Sequence, residues 1–232
     1  MGENVDFPSN GHTCSGYLAV PQGGPGPGIV VVQEWWGVLP QIQRVCDRLA
    51  AEGFTALAVD LYHGDPASLQ EPDDAQKKMM ALSLESAAQD LSGAVTHLLE
   101  SGRAQGDQLG AVGFCMGGGL ALYLASLRPE VIATVDYYGA APWEEAQAEV
   151  GRIRGAVLGH FGTRDDYNPR EKVDELQSRL RDAGVAVEFY FYEGMDHAFF
   201  NEDRPEVYDA EAAQLSWDRS LAFFRTHLKR DR

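Results

Sequence analysis

Short apolar runs alternate with longer amphipathic stretches along most of this 232-residue chain. A run that is apolar on both faces is typical of a strand buried inside a parallel sheet, whereas apolar positions spaced three and four apart indicate a helix. The runs predicted as buried strands are residues 28–33 (GIVVVQ) and 54–62 (FTALAVDLY), and further strands are predicted at 109–114 (LGAVGF), 131–139 (VIATVDYYG), 155–162 (GAVLGHFG) and 185–194 (VAVEFYFYEG). Strands that alternate with helices in this way predict a mostly parallel, doubly wound α/β sheet with helices on both faces.

A hairpin and five helical stretches complete the predicted elements. The segments VDFP and TCSGYLAVP are predicted to pair as a hairpin, because Asn10-Gly11 supplies the positive-φ residues of a tight turn. The helical stretches are residues 41–53, closed by Gly53; a pattern of about 28 residues from Asp73 onward, with a break near Ser83 or Ser92; LALYLASL at 120–127; 170–184; and about 207–229.

Length, composition and charge narrow the class of protein. One α/β domain over residues 1–232 is the expectation, since this length suits a single core. The chain lacks an apolar run of about 18 residues and a secretory signal at its start, so we expect a cytoplasmic protein with no membrane partner. A net charge of −16 repels phosphate backbones, so no nucleic-acid partner is expected. We expect a monomer, with a dimer as the alternative.

Metal and redox chemistry are not expected from the cysteine and histidine pattern. The three cysteines form no C-x-x-C pair, and the six histidines show neither H-x-H nor H-E-x-x-H spacing. No cofactor and no metal site are therefore predicted. Cys14 lies in the predicted hairpin and Cys46 in a helix, and both are interpreted as small buried side chains. His63 follows the strand that ends in DLY and is a candidate for the edge of a pocket.

Cys115 lies in the stretch GFCMGGG, between a predicted strand and a predicted helix. A turn of this kind over G-x-C-x-G-G holds its central residue in strained backbone geometry, with the side chain exposed at the helix N-terminus. The helix dipole and the amides at that end stabilise a thiolate and an adjacent oxyanion. The alternative is a glycine-rich nucleotide-binding turn, which the absence of a ribose-binding acidic residue after the next strand disfavours.

A base and an acid follow Cys115 in the order seen in α/β-hydrolases. His197 in GMDHAFF comes directly after a predicted strand, and Asp165 and Asp166 follow another. Because the carboxyl ends of parallel strands meet at one edge of the sheet, these side chains are expected to converge there. Two aspartates before Asn-Pro are also common turn residues, but the conjunction of three such loops favours a nucleophile, acid and base.

Several of these motifs together resemble the dienelactone hydrolase family, over nearly the whole chain from GYLAVP to the last helix. The segments that carry the resemblance are VVVQEWWG (30–37), VDLY (59–62), GFCMGGG, GTRDDYNP (162–169) and GMDHAFF. The resemblance implies an α/β-hydrolase fold and assigns nucleophile, acid and base to Cys115, Asp165 and His197. It implies that Glu34 hydrogen bonds to the resting thiol and disfavours the thiolate until substrate binds.

The implied reaction is hydrolysis of a small ester or lactone through a thioester on Cys115. Geometry and resemblance together predict an oxyanion hole formed by the backbone amides of Trp35 and Met116. Side chains expected to line an apolar pocket are Trp35, Trp36, Tyr137, Tyr138 and Phe199. The alternatives are a nonspecific carboxylesterase or thioesterase, and a non-catalytic binding protein that retains the pocket.

The arginine clamp of dienelactone-cleaving relatives is not matched. Asn201 stands four residues after His197, where those relatives carry an arginine, and the region after VDLY offers Lys77 and Lys78. An ammonium group does not reproduce a bidentate guanidinium clamp. Arg204 is the candidate that could reach a substrate carboxylate from a shifted position, so the substrate prediction covers small esters, lactones and thioesters.

Overall fold

The computed structural model describes residues 2–9, 11–140 and 146–228. Eight strands form one mostly parallel sheet in the order β1-β2-β4-β3-β5-β6-β7-β8. The strands are β1 (Glu3–Ser9), β2 (His12–Ala19), β3 (Pro27–Val32), β4 (Thr55–Val59), β5 (Gln105–Phe114), β6 (Val131–Tyr137), β7 (Ala156–Gly162) and β8 (Val187–Tyr192). The helices are α1 (Pro40–Ala51), α2 (Pro72–Ala81), α3 (Leu84–Glu100), α4 (Met116–Leu127), α5 (Arg170–Asp182) and α6 (Ala210–His227). The predicted α/β architecture is confirmed.

The chain forms two compact units, the first ending at Leu109 and the second comprising Gly110–Leu228. β5 contributes residues to both. In the first unit β1 and β2 pair antiparallel, β2 pairs antiparallel with β4, and β3 pairs parallel with β4. Every residue of β3 and β4 is buried, as their uniformly apolar sequences predict. The prediction of a single domain over residues 1–232 stays a prediction.

The long helical pattern in the first unit breaks at the first of the two predicted serines. Ser83 adopts extended backbone geometry as the N-cap of α3, and its hydroxyl accepts a hydrogen bond from Ser86 N. This satisfies one of the amide groups that a helix start leaves without an intrahelical acceptor. Ser92 lies inside the continuous helix α3, so no break occurs there.

The second unit carries the parallel half of the sheet. β6, β7 and β8 pair in parallel, with Tyr137 opposite His160 and His160 opposite Tyr190. α4 and α6 pack against β6, and α5 packs against β8. β7 is entirely buried, whereas β8 at the end of the strand order is half-buried. The carboxyl ends of β5, β7 and β8 therefore lead into the loops that hold Cys115, Asp165 and His197.

One short helix was not predicted, and two predicted features lie outside the described residues. A short 3-10 helix over Val150–Arg152 precedes β7 and was not predicted. Asn10 of the predicted hairpin turn, and the predicted end of the last helix at position 229, lie outside the described residues. None of the helices in the described part of the chain combines the length and apolar character that a bilayer crossing requires.

Candidate active site

Cys115 occupies the sharp turn from β5 into α4. Its backbone has φ 56° and ψ −125°, a conformation that residues with a Cβ atom rarely adopt. The turn is held by two hydrogen bonds, from Cys115 N to Tyr137 O at 3.0 Å and from Gly118 N to Cys115 O at 2.9 Å. The Cys115 residue is partly exposed, whereas Cys14 and Cys46 are buried. Of the three cysteines, only Cys115 is accessible at a strand-to-helix turn.

Glycines allow the backbone segments around this turn to approach one another. A Cβ atom on Gly113 would lie 1.8 Å from Gly117 O, and one on Gly118 would lie 2.0 Å from Asp136 Oδ1. A Cβ atom on Gly139 would lie 2.1 Å from Cys115 O. Such separations are far below van der Waals contact, so larger residues would force the turn open. Close packing at this turn thus accounts for Gly113 and Gly118 of GFCMGGG.

His197 lies in the loop after β8 and joins the other two candidate residues. Its Nδ1 is 2.8 Å from Asp165 Oδ2, and its ring also hydrogen bonds to the Cys115 side chain. Because Nδ1 faces the carboxylate, Nε2 is the nitrogen left to exchange a proton with the thiol. Tyr138 packs edge-on against the imidazole with ring centroids 5.1 Å apart. The structure therefore brings Cys115, His197 and Asp165 into one contact chain.

Asp165 is buried and accepts several hydrogen bonds. Its Oδ1 accepts from Tyr167 N at 2.9 Å and from Asn168 N at 3.2 Å. Its Oδ2 accepts from Asn168 Nδ2 at 3.0 Å in addition to His197. Asp166, the other aspartate of the motif, is exposed. Asp165 is thus the aspartate of this motif that contacts His197, and its catalytic role stays a prediction.

Neighbouring charges and hydrogen bonds shift the pKa values of His197 and Asp165. Burial by itself lowers the pKa of His197, but the neighbouring Cys115 charge and the hydrogen bonds to Asp165 and Cys115 outweigh it and raise the pKa to about 10. Burial raises the pKa of Asp165, yet the hydrogen bond and charge of His197, together with Asn168, lower it overall. The surroundings of His197 therefore stabilise the imidazolium that forms when its ring takes a proton.

Two residues of the site were missed by the sequence reasoning. Asn168 donates to Tyr138 O at 2.8 Å and accepts from Ala140 N at 2.9 Å while it also holds Asp165. Asp136 is completely buried below the cysteine turn, and its Oδ1 accepts from Gly139 N at 2.9 Å. Burial raises the pKa of Asp136 to about 7. Asn-Pro was interpreted only as a turn, and a lone acid inside the apolar run VIATVDYYG was the signal for Asp136.

Glu34, Trp35 and Trp36 lie in the first unit, directly after β3. Glu34 is buried and its carbonyl accepts from Gly37 N at 3.1 Å, while Trp35 O accepts from the Tyr62 hydroxyl at 2.9 Å. The Trp36 ring packs edge-on against the Trp35 ring. Trp36 also forms a small apolar cluster with Ala67 and Ala75. The predicted roles of these three residues toward Cys115 and the substrate stay predictions.

The remaining predicted residues of the second unit occupy different surroundings. Met116 is the first residue of α4, the end of a helix at which backbone N–H groups point outward. Phe199 is buried and packs against Tyr138 and Tyr192. Tyr137 is fully buried, with its hydroxyl 2.9 Å from Ser220 Oγ, and this is a core position. The pocket roles of these aromatic residues stay predictions.

Asn201 and Arg204 belong to the turn that follows His197. Asn201 is buried, and its Oδ1 accepts from Asp203 N at 3.1 Å. Arg204 pairs through Nε with Glu206 Oε1 at 2.9 Å, and its side chain is one-quarter exposed. Asn201 therefore supports the turn, whereas Arg204 retains access to solvent. Their predicted contact with substrate stays a prediction.

Comparison with known proteins places the chain in a family. Residues 14–228 match the dienelactone hydrolase family. The chain is 36% identical to "Protein usf" of Aquifex pyrophilus and 34% identical to "Putative carboxymethylenebutenolidase" of Aquifex aeolicus, covering 98% and 99% of this chain and all of each relative. The crystal structure of "Putative Dienelactone Hydrolase" from Klebsiella pneumoniae is similar with a TM-score of 0.85, at 29% identity over 98% of this chain and 99% of that chain. This chain therefore belongs to the dienelactone hydrolase family of α/β-hydrolases.

Proposed function

We propose that the protein hydrolyses small esters or lactones through a thioester formed on Cys115. The observation that carries this proposal is the His197 ring, which hydrogen bonds to both Cys115 and Asp165. A nucleophile, a base and an orienting carboxylate in contact with one another form the arrangement that covalent acyl transfer requires. Membership of the family and the name of the Aquifex aeolicus relative support a lactone or ester as substrate.

The proposed reaction has two stages that balance in protons and bonds. In the first, His197 takes the proton of the Cys115 thiol, the sulfur bonds to the substrate carbonyl carbon, and the carbonyl electron pair moves onto oxygen. The tetrahedral intermediate then expels the alkoxide, which takes the proton from His197. In the second stage His197 takes a proton from water, the hydroxide attacks the thioester, and the carbon–sulfur bond breaks. The sulfur regains its proton, and the carboxylic acid leaves.

Neighbouring groups support the two stages. Asp165 holds His197 through Nδ1, which directs Nε2 toward the sulfur and stabilises the imidazolium. The Met116 amide, at the start of α4, is the proposed donor to the oxyanion from this unit. The family resemblance implies two further roles. Glu34 restrains the thiol, and the Trp35 amide is the second donor to the oxyanion.

The substrate class follows from the side chains near His197. The Asn201 side chain is uncharged, so it offers no cation to a substrate carboxylate, and its Oδ1 accepts from Asp203 N. Arg204 is paired with the exposed Glu206, and a carboxylated substrate would have to compete with that pairing. Neutral esters and lactones are therefore the proposed substrates, in preference to carboxylated dienelactones.

A burst assay with an activated phenyl ester tests the proposal. Wild-type protein is expected to release one equivalent of phenol per chain rapidly, and mass spectrometry of quenched protein is expected to find an acyl group on Cys115. Cys115→Ala and His197→Ala are each expected to lower kcat/KM by about 10³-fold or more. Cys46→Ala is the matched control, because Cys46 is fully buried in α1 and is expected to retain activity.

Two outcomes would contradict the proposal. If Cys115→Ala turned over the ester at the wild-type rate, the nucleophile would lie elsewhere. If neither a burst nor an acyl adduct appeared with a panel of esters, lactones and thioesters, the pocket would be a binding site without this chemistry. For the substrate class, a dienelactone is compared with a neutral lactone of similar size, and a higher kcat/KM for the carboxylated compound would overturn the preference for neutral substrates.

A further inference from the structure

Two histidines and an aspartate from separate parts of the first unit meet around one buried carboxylate. His12 begins β2, His63 lies in the loop after β4, and Asp90 lies in α3. His12 Nε2 is 2.7 Å from Asp90 Oδ1, and His63 Nε2 is 3.2 Å from Asp90 Oδ2. One nitrogen or oxygen atom from each residue lies within 4.8 Å of those of the other two. The sequence spacing of these residues gave no indication of this convergence.

The backbone around the cluster brings these groups together. Gly93 allows α3 to approach β1, because a Cβ atom there would lie 2.8 Å from Pro8 O. His63 has φ 51°, a left-handed conformation that is uncommon for a residue with a side chain. Asp60 stabilises this turn, since its carboxylate accepts from the amides of Tyr62 and Gly64. The turn directs the His63 ring to Asp90.

The Asp90 carboxylate is buried against both histidines and the Cys14 side chain. The Asp90 side chain is 1% exposed, and Oδ1 accepts from Ser9 Oγ at 2.7 Å and contacts His12. Within the described residues, the buried Oδ2 has no hydrogen-bond partner of good geometry, although His63 Nε2 lies near it. A buried anionic oxygen without such a partner is unfavourable unless a cation or donor neutralises it. The buried carboxylate therefore favours a cation in the space between it and the two histidines.

We propose that His12, His63 and Asp90 bind one divalent transition-metal ion, with Zn²⁺ as the ion that suits them best. Imidazole nitrogen and carboxylate oxygen are ligands that Zn²⁺ takes at about 2.0–2.2 Å, and two histidines with one carboxylate leave a fourth position for water. The His12 and His63 side chains are 38% and 46% exposed, so the ion and its water can enter from solvent. Mg²⁺ and Ca²⁺ are disfavoured because they prefer oxygen ligands.

A bound metal ion would replace the direct contacts between the two histidines and Asp90 with bonds from each residue to the ion. Tetrahedral ligands at these bond lengths lie about 3.3 Å apart, so His12 and Asp90 have to separate by about half an ångström. Each Nε2 has to present its lone pair, so a proton on Nε2 moves to Nδ1 or to solvent. Ser9 then serves as an outer hydrogen-bond donor that orients the carboxylate. The ion would link β2, the loop after β4, and α3.

The proposed metal site shares no residue with the proposed catalytic site. His12, His63 and Asp90 are all in the first unit, and Cys115, Asp165 and His197 are all in the second. Cys115 and His197 could themselves bind Zn²⁺ in solution, so a test has to remove that possibility. The Cys115→Ser background does so while leaving the three proposed ligands unchanged.

Isothermal titration of metal-depleted full-length Cys115→Ser protein with ZnCl₂ tests the proposal. One ion per chain is expected, and His63→Asn in the same background is expected to weaken binding by more than about 100-fold, since loss of an outer donor alone weakens metal sites by about 10–100-fold. Asparagine is chosen because it tolerates left-handed backbone. Ser9→Ala is expected to weaken binding by about 10–100-fold. His227→Gln, on α6, is the matched control and is expected to bind as its parent does.

A second variant and a spectroscopic signal distinguish loss of metal binding from misfolding of the protein. Asp90→Asn removes the anionic ligand, and its melting without metal reports whether the first unit still folds. Co²⁺ in place of Zn²⁺ is expected to give visible absorption in the parent and in His227→Gln, and none in His63→Asn. The proposal is overturned if Zn²⁺ does not bind, or if binding is unchanged in His63→Asn. The cluster would then be an ion-paired contact between two histidines and an aspartate.

Discussion

The Asn168 side chain hydrogen bonds to three different residues of the proposed catalytic site and its surroundings. It donates to Asp165 and to Tyr138 O and accepts from Ala140 N, so one amide positions both the carboxylate and the backbone beside it. We expect Asn168→Ala to lower kcat by about 10–100-fold with little change in KM. Loss of a buried hydrogen-bond partner costs about 1–3 kcal/mol, and the misplaced Asp165 would orient His197 less well.

Steady-state kinetics on a neutral ester, together with urea unfolding, measure this effect. Asp166→Ala is the control, because Asp166 is exposed in the same loop and is expected to change neither kcat nor stability. If Asn168→Ala raised KM alone and left kcat unchanged, Asn168 would contact substrate rather than position Asp165.

Asp136 makes stability depend on pH in the direction opposite to most carboxylates. Burial raises its pKa to about 7 in the folded protein, against an ordinary 3.8. Between these values the folded state binds more protons than the unfolded state, so this group lowers stability as pH rises from about 4 to 7. Asp136→Asn is therefore expected to become more stable relative to wild type as pH rises, by about 3–4 kcal/mol at pH 8 compared with pH 4.

Urea unfolding of both proteins at a series of pH values measures the difference. The amide oxygen introduced by Asp136→Asn would still accept from Gly139 N, so the turn is expected to remain. A constant difference between the two proteins at all pH values would show that Asp136 has an ordinary pKa in the folded state.

At the scale of elements, the turn from β5 into α4 depends on backbone contact that only glycine permits. A Cβ atom on Gly113 would meet the Gly117 carbonyl, and backbone cannot move aside as a flexible side chain can. We expect Gly113→Ala to destabilise the protein by about 3 kcal/mol or more and to reduce activity through displacement of Cys115. Gly151→Ala is the matched control, since a Cβ atom there has open space.

Thermal unfolding and ester turnover measure the two glycine variants side by side. Wild-type stability in Gly113→Ala would mean that the strand and helix can separate without cost, which would refute the packing argument. Loss of stability in Gly151→Ala of similar size would point to a general effect of removing glycine.

The boundary between α2 and α3 gives a second prediction at this scale. Ser83→Ala removes the hydroxyl that caps α3 and is expected to lower the free energy of unfolding by about 1 kcal/mol. Ser92→Ala, inside α3, is expected to cost less, because alanine favours the helix interior. Urea unfolding of the two variants ranks them, and a larger loss in Ser92→Ala would contradict the role of Ser83 as the cap.

At the scale of the whole molecule, the net charge of −16 opposes the compact state. Salt screens this repulsion over about 10 Å at 0.1 M ionic strength, so raising NaCl toward about 0.5 M is expected to increase the melting temperature. Each kcal/mol gained corresponds to about 2–4 °C for a chain of this size. Scanning calorimetry at a series of NaCl concentrations measures the effect, and a fall in melting temperature with NaCl would contradict it.

Much of the fold and part of the site were predictable from local patterns. Mostly apolar runs become the buried strands β3, β4 and β7, because burial on both faces favours apolar side chains on both faces. Cys115, Asp165 and His197 were predictable because each follows a strand, and parallel strands end at one edge. Asn168 and Asp136 were not predicted, since Asn-Pro is equally typical of a turn and a lone acid inside an apolar run does not indicate which groups it contacts.

The sequence by itself therefore determined the order of strands and helices, the strained cysteine turn, and the candidates for nucleophile, acid and base. These features depend on residues close together in the chain, where periodicity and glycine content act directly. Only the tertiary structure decided that His12 and His63 meet at the carboxylate of Asp90, which lies 78 positions after His12. Contacts of that kind depend on how elements pack and on one left-handed residue, and local sequence patterns do not encode such distances.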